Sequence, residues 1–113
     1  MNKVRQLSSN HNPNPDHQAG PLFGLGHIVA TPAALELLEK HGVDPTTLLS
    51  RHARGDWGDI CSSDRQENEA ALQSGSRIFS AYVVVTDKFF VVTEQVGDDG
   101  IRASTCIMRA EDY

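Results

Sequence analysis

The stretch RIFSAYVVVTDKFFVVTEQVGDDGIRASTCIMR (residues 77–109) decides the fold class. It contains three runs rich in β-branched and aromatic side chains, which favour extended backbone. Thr86-Asp87 and GDDG (97–100) separate the runs, and both suit tight hairpin turns. The stretch therefore predicts a three-stranded antiparallel meander.

Three helices are predicted before this meander. Thr31-Pro32 and Asp44-Pro45 each place an N-cap side chain before a proline, which suits the first helical position. A third start lies at Ser63, where a glutamine three residues later gives the spacing of a capping box. Glycines end the helices, namely Gly42, Gly55 and Gly75.

The order of elements predicts an α+β fold. GHIVAT (26–31) is a short β-like run, so a strand, three helices and then the meander follow one another. We expect three helices packed on one face of a three- to four-stranded antiparallel sheet. Residues 1–21 are rich in Asn, Pro and Ser and are predicted to form a flexible arm, with residues 22–113 as a single domain.

A crude register assigns the two faces of the sheet. With Asp87-Lys88 as a two-residue loop and the second hairpin closed at GDDG, the more apolar face is taken as the inner one. The predicted inner residues are Phe79, Ala81, Val83, Val85, Phe90, Val92, Glu94, Val96, Ile101, Ala103, Thr105 and Ile107. The predicted outer residues are Ser80, Tyr82, Thr93, Gln95, Arg102 and Ser104. A one-residue slip in a loop would exchange the faces of a strand.

Composition and charge limit the location and the partners of the chain. No apolar run is long enough to span a bilayer, and the first residues lack the apolar segment of a secretory signal. Cys61 and Cys106 are then expected to be reduced thiols in a cytoplasmic protein. Residues 27–113 hold eight Lys or Arg against fourteen Asp or Glu, a net charge of −6. Such a domain repels a phosphate backbone unless its few cations are clustered, which disfavours nucleic acid as a direct ligand. An acidic protein can instead approach basic surfaces, and a protein partner is expected.

The segment RHARGDWGD (51–59) concentrates the polar chemistry of the chain. His52 lies three and four residues beyond Leu49 and Leu48, so a helix places it on their buried stripe. In the structural interpretation, glycines reverse the chain after this helix and Trp57 covers the edge of the core. The remaining polar residues of the segment anchor the loop or contact a partner, and these are Arg51, Arg54, Asp56 and Asp59.

The alternative interpretation makes His52 a general acid or base of a small metal-independent ribonuclease or related phosphodiester enzyme. Either Asp56 would orient the imidazole or Arg54 would neutralise a phosphate, and Glu94 on an apolar sheet face would be the second titrating group. Arg102 falls on the sheet face opposite to Glu94, so one cleft would not use both. The catalytic set is incomplete, and an enzyme is the less favoured hypothesis.

Cofactor and metal sites are not predicted. His11, His17 and His27 have no accompanying Cys or carboxylate at ligand spacing, and LFGLG (22–26) lacks the lysine of a phosphate-binding loop. Asn68 is predicted to be a buried amide that bonds backbone across a loop. Tyr113 either packs against the end of the sheet or belongs to a free terminus.

Several motifs together resemble a family of small bacterial proteins carried on plasmids and integrative conjugative elements. They are GHIVATPAALELL (26–38), LLSRHARGDWGDI (48–60), NEAAL (68–72), GSRIFSAY (75–82), VVTE (91–94), Arg102, Thr105 and the final EDY. The element RHxxGDWG is the most specific of them. Family members are mostly labelled plasmid-related or hypothetical, and some carry a restriction-subunit label. The resemblance implies an accessory protein of a mobile element and supplies no catalytic residues.

Three functions are therefore weighed. The leading hypothesis is a mobile-element accessory protein that acts by protein–protein interaction and inhibits a host defence system of the CRISPR or restriction type. The alternatives are the ribonuclease centred on His52 and a structural homo-oligomer, such as a homodimer, joined through the outer sheet face or an edge strand.

Overall fold

The computed structural model describes residues 5–6 and 20–113, which form an α+β fold. The predicted arm, residues 1–21, lies almost entirely outside the described residues. The helices are α1 (Pro32–Lys40), α2 (Pro45–Ala53) and α3 (Ser62–Ser74), and a short 3₁₀ turn spans Ala110–Asp112. The strands are β1 (Arg5–Gln6), β2 (His27–Ala30), β3 (Ile78–Val84), β4 (Asp87–Thr93) and β5 (Ser104–Arg109). None of the helices in the described ranges is long and apolar enough to cross a bilayer.

The strands form one mixed sheet in the order β1-β2-β5-β4-β3. β3, β4 and β5 are antiparallel neighbours, as the meander predicts, and β1 pairs antiparallel with β2. β2 pairs with β5 in parallel, so the prediction of a purely antiparallel sheet is wrong. Three helices separate β2 from the meander, and this long connection lets the chain enter the sheet in either direction.

The first two helices begin at the expected signals. Thr31 accepts a hydrogen bond from the Ala34 amide at 3.2 Å, and Asp44 accepts one from the Thr46 amide at 2.9 Å. The third start was misplaced, because Cys61 occupies the N-cap of α3 and makes no side-chain cap bond. Gly75 ends α3 with a φ of 83°, a left-handed conformation that glycine adopts without a steric penalty.

Both hairpins differ in register from the prediction. Val84 pairs with Asp87, so the first turn is Val85-Thr86, and Val85 has a φ of 60° that a β-branched residue rarely adopts. In the second hairpin Val96 pairs with Arg102, so five residues separate the partners instead of four. This extra residue exchanges the faces of β5 relative to β4.

As a result, the predicted inner face of β3 and β4 is the outer face. The helix-facing side of the sheet includes Ser80 and Tyr82 of β3 and Thr93 of β4, all at 1% exposure or less. Thr105 and Ile107 of β5 are buried there, as predicted. The polar residues tolerate this position because each is hydrogen-bonded inside the protein. Ser80 and Thr93 bond His52, and Tyr82 donates to the Asp56 carbonyl, which apolar content alone does not reveal.

The main core lies between this sheet face and the first two helices. Leu38 from α1 and Leu48 from α2 pack into one cluster with strand residues that include Phe89 and Ile107. Each fully buried side chain of this size stabilises the fold by about 1.5–3 kcal/mol. A second cluster, around Trp57, joins α3 to the start of β3.

The backbone of the edge strand β3 is hydrogen-bonded by the segment around Trp57 and by the side chain of Asn68. The Ala81 amide donates to the Trp57 carbonyl at 3.0 Å, and the Asp59 amide donates to the Ala81 carbonyl at 2.6 Å. The Asn68 side chain donates to the Phe79 carbonyl at 2.7 Å and accepts from the Phe79 amide at 3.1 Å. The amide of Asn68 thus bonds backbone as predicted, and it stands in for a neighbouring strand.

Gly58 lies where the RHARGDWGD segment meets β3, and its substitution tests the close approach. Its φ is 78°, and a Cβ there would overlap the Ala81 carbonyl oxygen and the Tyr82 ring. We expect Gly58→Ala to lower the free energy of unfolding by about 3 kcal/mol or more in urea melts. Gly42→Ala is the control, since its φ is 70° and nothing lies within 4 Å of the added Cβ. That variant should lose only about 1 kcal/mol from backbone strain. Equal losses would contradict the packing described for Gly58.

Candidate functional site

His52 lies at the centre of the molecule, on the inner side of α2. It has no solvent exposure, which agrees with its predicted place on the stripe of Leu48 and Leu49. Its Nδ1 lies 2.6 Å from Ser80 Oγ on β3, and its Nε2 lies 2.9 Å from Thr93 Oγ1 on β4. Both ring nitrogens are therefore bonded inside the protein.

The hydroxyl groups around His52 fix which ring nitrogen carries the proton. Thr105 Oγ1 donates to the Leu25 carbonyl at 2.7 Å, so its only hydrogen is committed. Thr93 Oγ1 lies 2.6 Å from Thr105 Oγ1 and must then donate to it. Thr93 therefore accepts from His52 Nε2–H. In a neutral ring Nδ1 then accepts from Ser80, so the chain of four side chains selects the Nε2–H tautomer.

The surroundings of His52 keep the ring neutral. Phe23 contacts it edge to face at 5.2 Å between ring centroids, and Trp57 does so at 6.0 Å. Burial lowers the pKa of His52 to about 3, with a further contribution from the positive charge of Arg102. At neutral pH the ring is uncharged and out of reach of a substrate.

Arg102 is a second buried polar group, and it bonds only backbone carbonyls. Its guanidinium donates to the Ser76 carbonyl at 2.6 Å and to the carbonyls of Glu94 and Ala71 at 3.0 Å each. These carbonyls belong to the end of α3, the approach to β3 and the end of β4. Burial lowers the pKa of Arg102. The side chain holds three segments together and does not point into solvent.

Asp56 faces Arg51 and not His52. Arg51 donates from Nε to one carboxylate oxygen of Asp56 at 2.7 Å and from Nη2 to the other at 3.3 Å. This hydrogen bond keeps the pKa of Asp56 below its usual range. The Arg51 guanidinium also lies 4.5 Å over the Tyr82 ring, and the Tyr82 hydroxyl donates to the Asp56 carbonyl at 2.6 Å. The four groups fasten the end of α2 to β3.

The other predicted site residues have separate positions. Trp57 is buried and donates from Nε1 to Glu69 at 2.9 Å, which ties the loop to α3. Asp59 bonds β3 through its backbone, and Arg54 is exposed at the end of α2. Glu94 is exposed instead of buried, which corrects its predicted inner position. The structure therefore does not gather the four catalytic candidates, His52, Asp56, Glu94 and Arg102, around one cleft.

Sequence reasoning missed the hydroxyl partners of His52. Thr93 and Thr105 are directly paired residues of adjacent strands, and Ser80 lies on the same face of β3. Their common signal is three hydroxyl residues at positions that share a sheet face once the register is correct. The wrong length of the second loop separated Thr93 from Thr105 in the predicted sheet.

Neither metal-ligand geometry nor similarity assigns a role to these residues. Within residues 5–6 and 20–113, no three His, Cys, Asp or Glu residues are grouped so that they could hold a metal ion. A scan of protein-family models and searches of curated proteins and solved structures return no match for this chain. The geometry of the side chains is therefore the basis for the function proposed below.

Buried neutral His52 should make the protein sensitive to acid. The unfolded chain takes up a proton on this histidine below pH 6.5, whereas the folded chain does so only near pH 3. This part of the stability is complete above pH 6.5 and is lost as the pH falls toward 3. It should amount to about 1.4 kcal/mol for each pH unit in that window. Urea melts between pH 7 and pH 4.5 measure the slope.

Two variants separate His52 from the other titrating groups. His52→Gln should be less stable than wild type at pH 7 but should lose the slope that this residue contributes, so the difference narrows as the pH falls. His27→Gln removes an exposed histidine and should keep that slope. The assignment is contradicted if wild type and His52→Gln show parallel pH dependence.

Proposed function

We propose that the protein acts by binding another protein and performs no chemistry at His52. The observation that carries this proposal is that both nitrogens of His52 are bonded to buried hydroxyl groups. A general base needs a nitrogen that can reach the proton of its substrate. The chain of hydroxyl groups ends on the Leu25 carbonyl, so the network supplies rigidity and not a path to solvent.

The arginines give a second argument against a nuclease. A phosphodiester enzyme needs cations that face the phosphate as negative charge develops. Arg102 instead bonds three backbone carbonyls, Arg51 pairs with Asp56, and Arg109 pairs with Asp112 at 2.8 Å. These guanidinium groups are committed to internal or local contacts. The arrangement supports a protein that does not bind nucleic acid directly.

The acidic surface indicates the kind of partner. Residues 27–113 carry a net charge of −6, and exposed carboxylates lie on α3 and in the β4–β5 loop, among them Glu67 and Asp98. Such a surface is attracted to basic proteins, including the grooves in which host nucleases and repressors hold nucleic acid. Together with the resemblance to proteins of plasmids and conjugative elements, this charge supports an accessory role in which a host defence protein is blocked.

A binding experiment with a matched variant tests this proposal. Wild-type chain on a support should retain, from a restriction-proficient bacterial lysate at about 0.1 M salt, a basic protein that itself binds DNA. The retained protein should bind DNA at least tenfold more weakly when the wild-type chain is present. The double variant Glu67→Lys/Asp98→Lys should retain less of it, because two acidic positions are reversed. Arg54→Gln leaves the acidic surface intact and should retain at least as much as wild type.

Two results would count against this function. The first is that wild type and the charge-reversed variant retain the same proteins at all salt concentrations. The second is that purified protein cleaves RNA and that His52→Gln abolishes the cleavage while circular dichroism shows it folded. The second result would establish the ribonuclease alternative.

A further inference from the structure

The sheet face that points away from the helices carries two apolar rows, with one charged side chain of β4 beyond each row. One apolar row consists of Phe79, Val92, Cys106 and Val29, which are neighbours across the four strands β3, β4, β5 and β2. The next row along the strands consists of Ala81, Phe90 and Met108. Lys88 lies beyond the second row, and Glu94, exposed just past the end of β4, lies beyond the first. The described helices pack on the opposite face.

The C-terminal residue extends this face. The Tyr113 ring lies 5.5 Å from the Phe79 ring and 5.4 Å from the Phe90 ring, and Arg77 donates to its hydroxyl at 3.0 Å. Tyr113 thus docks on the sheet, yet it remains 62% exposed. Val83, at the neighbouring rim of the face, is 51% exposed. The rim of this face is therefore exposed, whereas Phe79 and Phe90 are half-buried and Ala81 and Val92 are only 2% and 3% exposed.

The size of this face meets the need of a specific interface. Four strands spaced at about 4.8 Å and four rows spaced at about 6.8 Å give a footprint of about 500 Å². Two such footprints bury about 1,000 Å², which is the lower limit for a specific protein interface. A flat sheet face suits another sheet face, because stacked sheets interdigitate at about 10 Å.

The distribution of charge makes the face complementary to itself. A two-fold axis that runs across the strands would lay β4 over β4 of a second copy in the opposite direction. Lys88 then meets Glu94 of the second copy at each end of the interface, with the rings of Phe79, Phe90 and Tyr113 between the two ends. An axis along the strands would leave Lys88 opposite Ala110 with no acidic partner.

We infer that a second copy of this chain binds the outer sheet face, and that two copies form a sandwich of two sheets with Lys88–Glu94 contacts at both ends. This inference is independent of the proposed host partner, whose test relies on Glu67 and Asp98 on other parts of the surface. In the dimer each copy still presents its acidic α3 to solvent.

Charge exchange between positions 88 and 94 tests the inference. In sedimentation experiments the full chain should shift with concentration from 12.3 kDa to twice that mass. Lys88→Glu and Glu94→Lys should each raise the dissociation constant at least tenfold, because each places two like-charge pairs across the interface. The double variant, and an equal mixture of the two single variants, should regain the wild-type dissociation constant. Both positions are exposed, and circular dichroism checks that each variant is folded.

A control and two outcomes complete the test. Glu39→Lys makes the same charge change at an exposed position of α1. Its dissociation constant for the dimer should differ from that of wild type by no more than twofold. A wild-type chain that stays at 12.3 kDa up to millimolar concentration would overturn the inference. A dimer whose dissociation constant is the same in wild type and in both single charge variants would overturn it as well, because another surface would then join the copies.

Discussion

The structure depends on one buried chain of hydrogen bonds that runs from Ser80 through His52, Thr93 and Thr105 to the Leu25 carbonyl. It connects α2, three strands and the segment before β2. Every donor in it has one acceptor, so the removal of any member leaves a buried polar group without a partner, at about 1–3 kcal/mol. The network therefore fixes how α2 sits on the sheet.

Arg102 performs a related task at the C-terminal end of α3. Its three bonds to carbonyl oxygens connect helix and sheet where regular hydrogen bonding stops. Phe23 lies between the two polar centres, 5.2 Å from the His52 ring and 5.6 Å from the Arg102 guanidinium. The polar residues that suggest chemistry in the sequence are thus used to assemble the fold. Among the described residues, the surface includes exposed acidic side chains and a second sheet face on which Tyr113 docks and no described helix packs.

The sequence predicted the local elements better than their assembly. Caps such as Thr31 and Asp44 act through hydrogen bonds to amides a few residues away, so a short window contains all the information. The spacing of His52 from Leu48 and Leu49 likewise gave its inward direction. Asn68 was predicted to be a buried amide that bonds backbone, but its partner, Phe79 of β3, was not predicted.

The prediction of strand register was wrong where contacts between distant residues outweigh local preference. Val85 adopts a positive φ that its side chain disfavours, so the first turn was placed at Asp87-Lys88 instead. One additional residue in the second loop moved Thr105 to the face of Thr93, and no local pattern signals that length. Buried hydroxyl groups also look like solvent-facing residues until the histidine that bonds them is in place.

The ionisation of His52 tests the central claim most directly. In a protein labelled with ¹⁵N in its histidine rings, NMR spectra recorded from pH 7.5 to pH 4.5 report both nitrogens. The buried network predicts one unchanging neutral ring with its proton on Nε2, consistent with a pKa lowered to about 3. A midpoint close to the ordinary histidine value of about 6.5 would contradict the account, because it would show an imidazole open to water and available for catalysis.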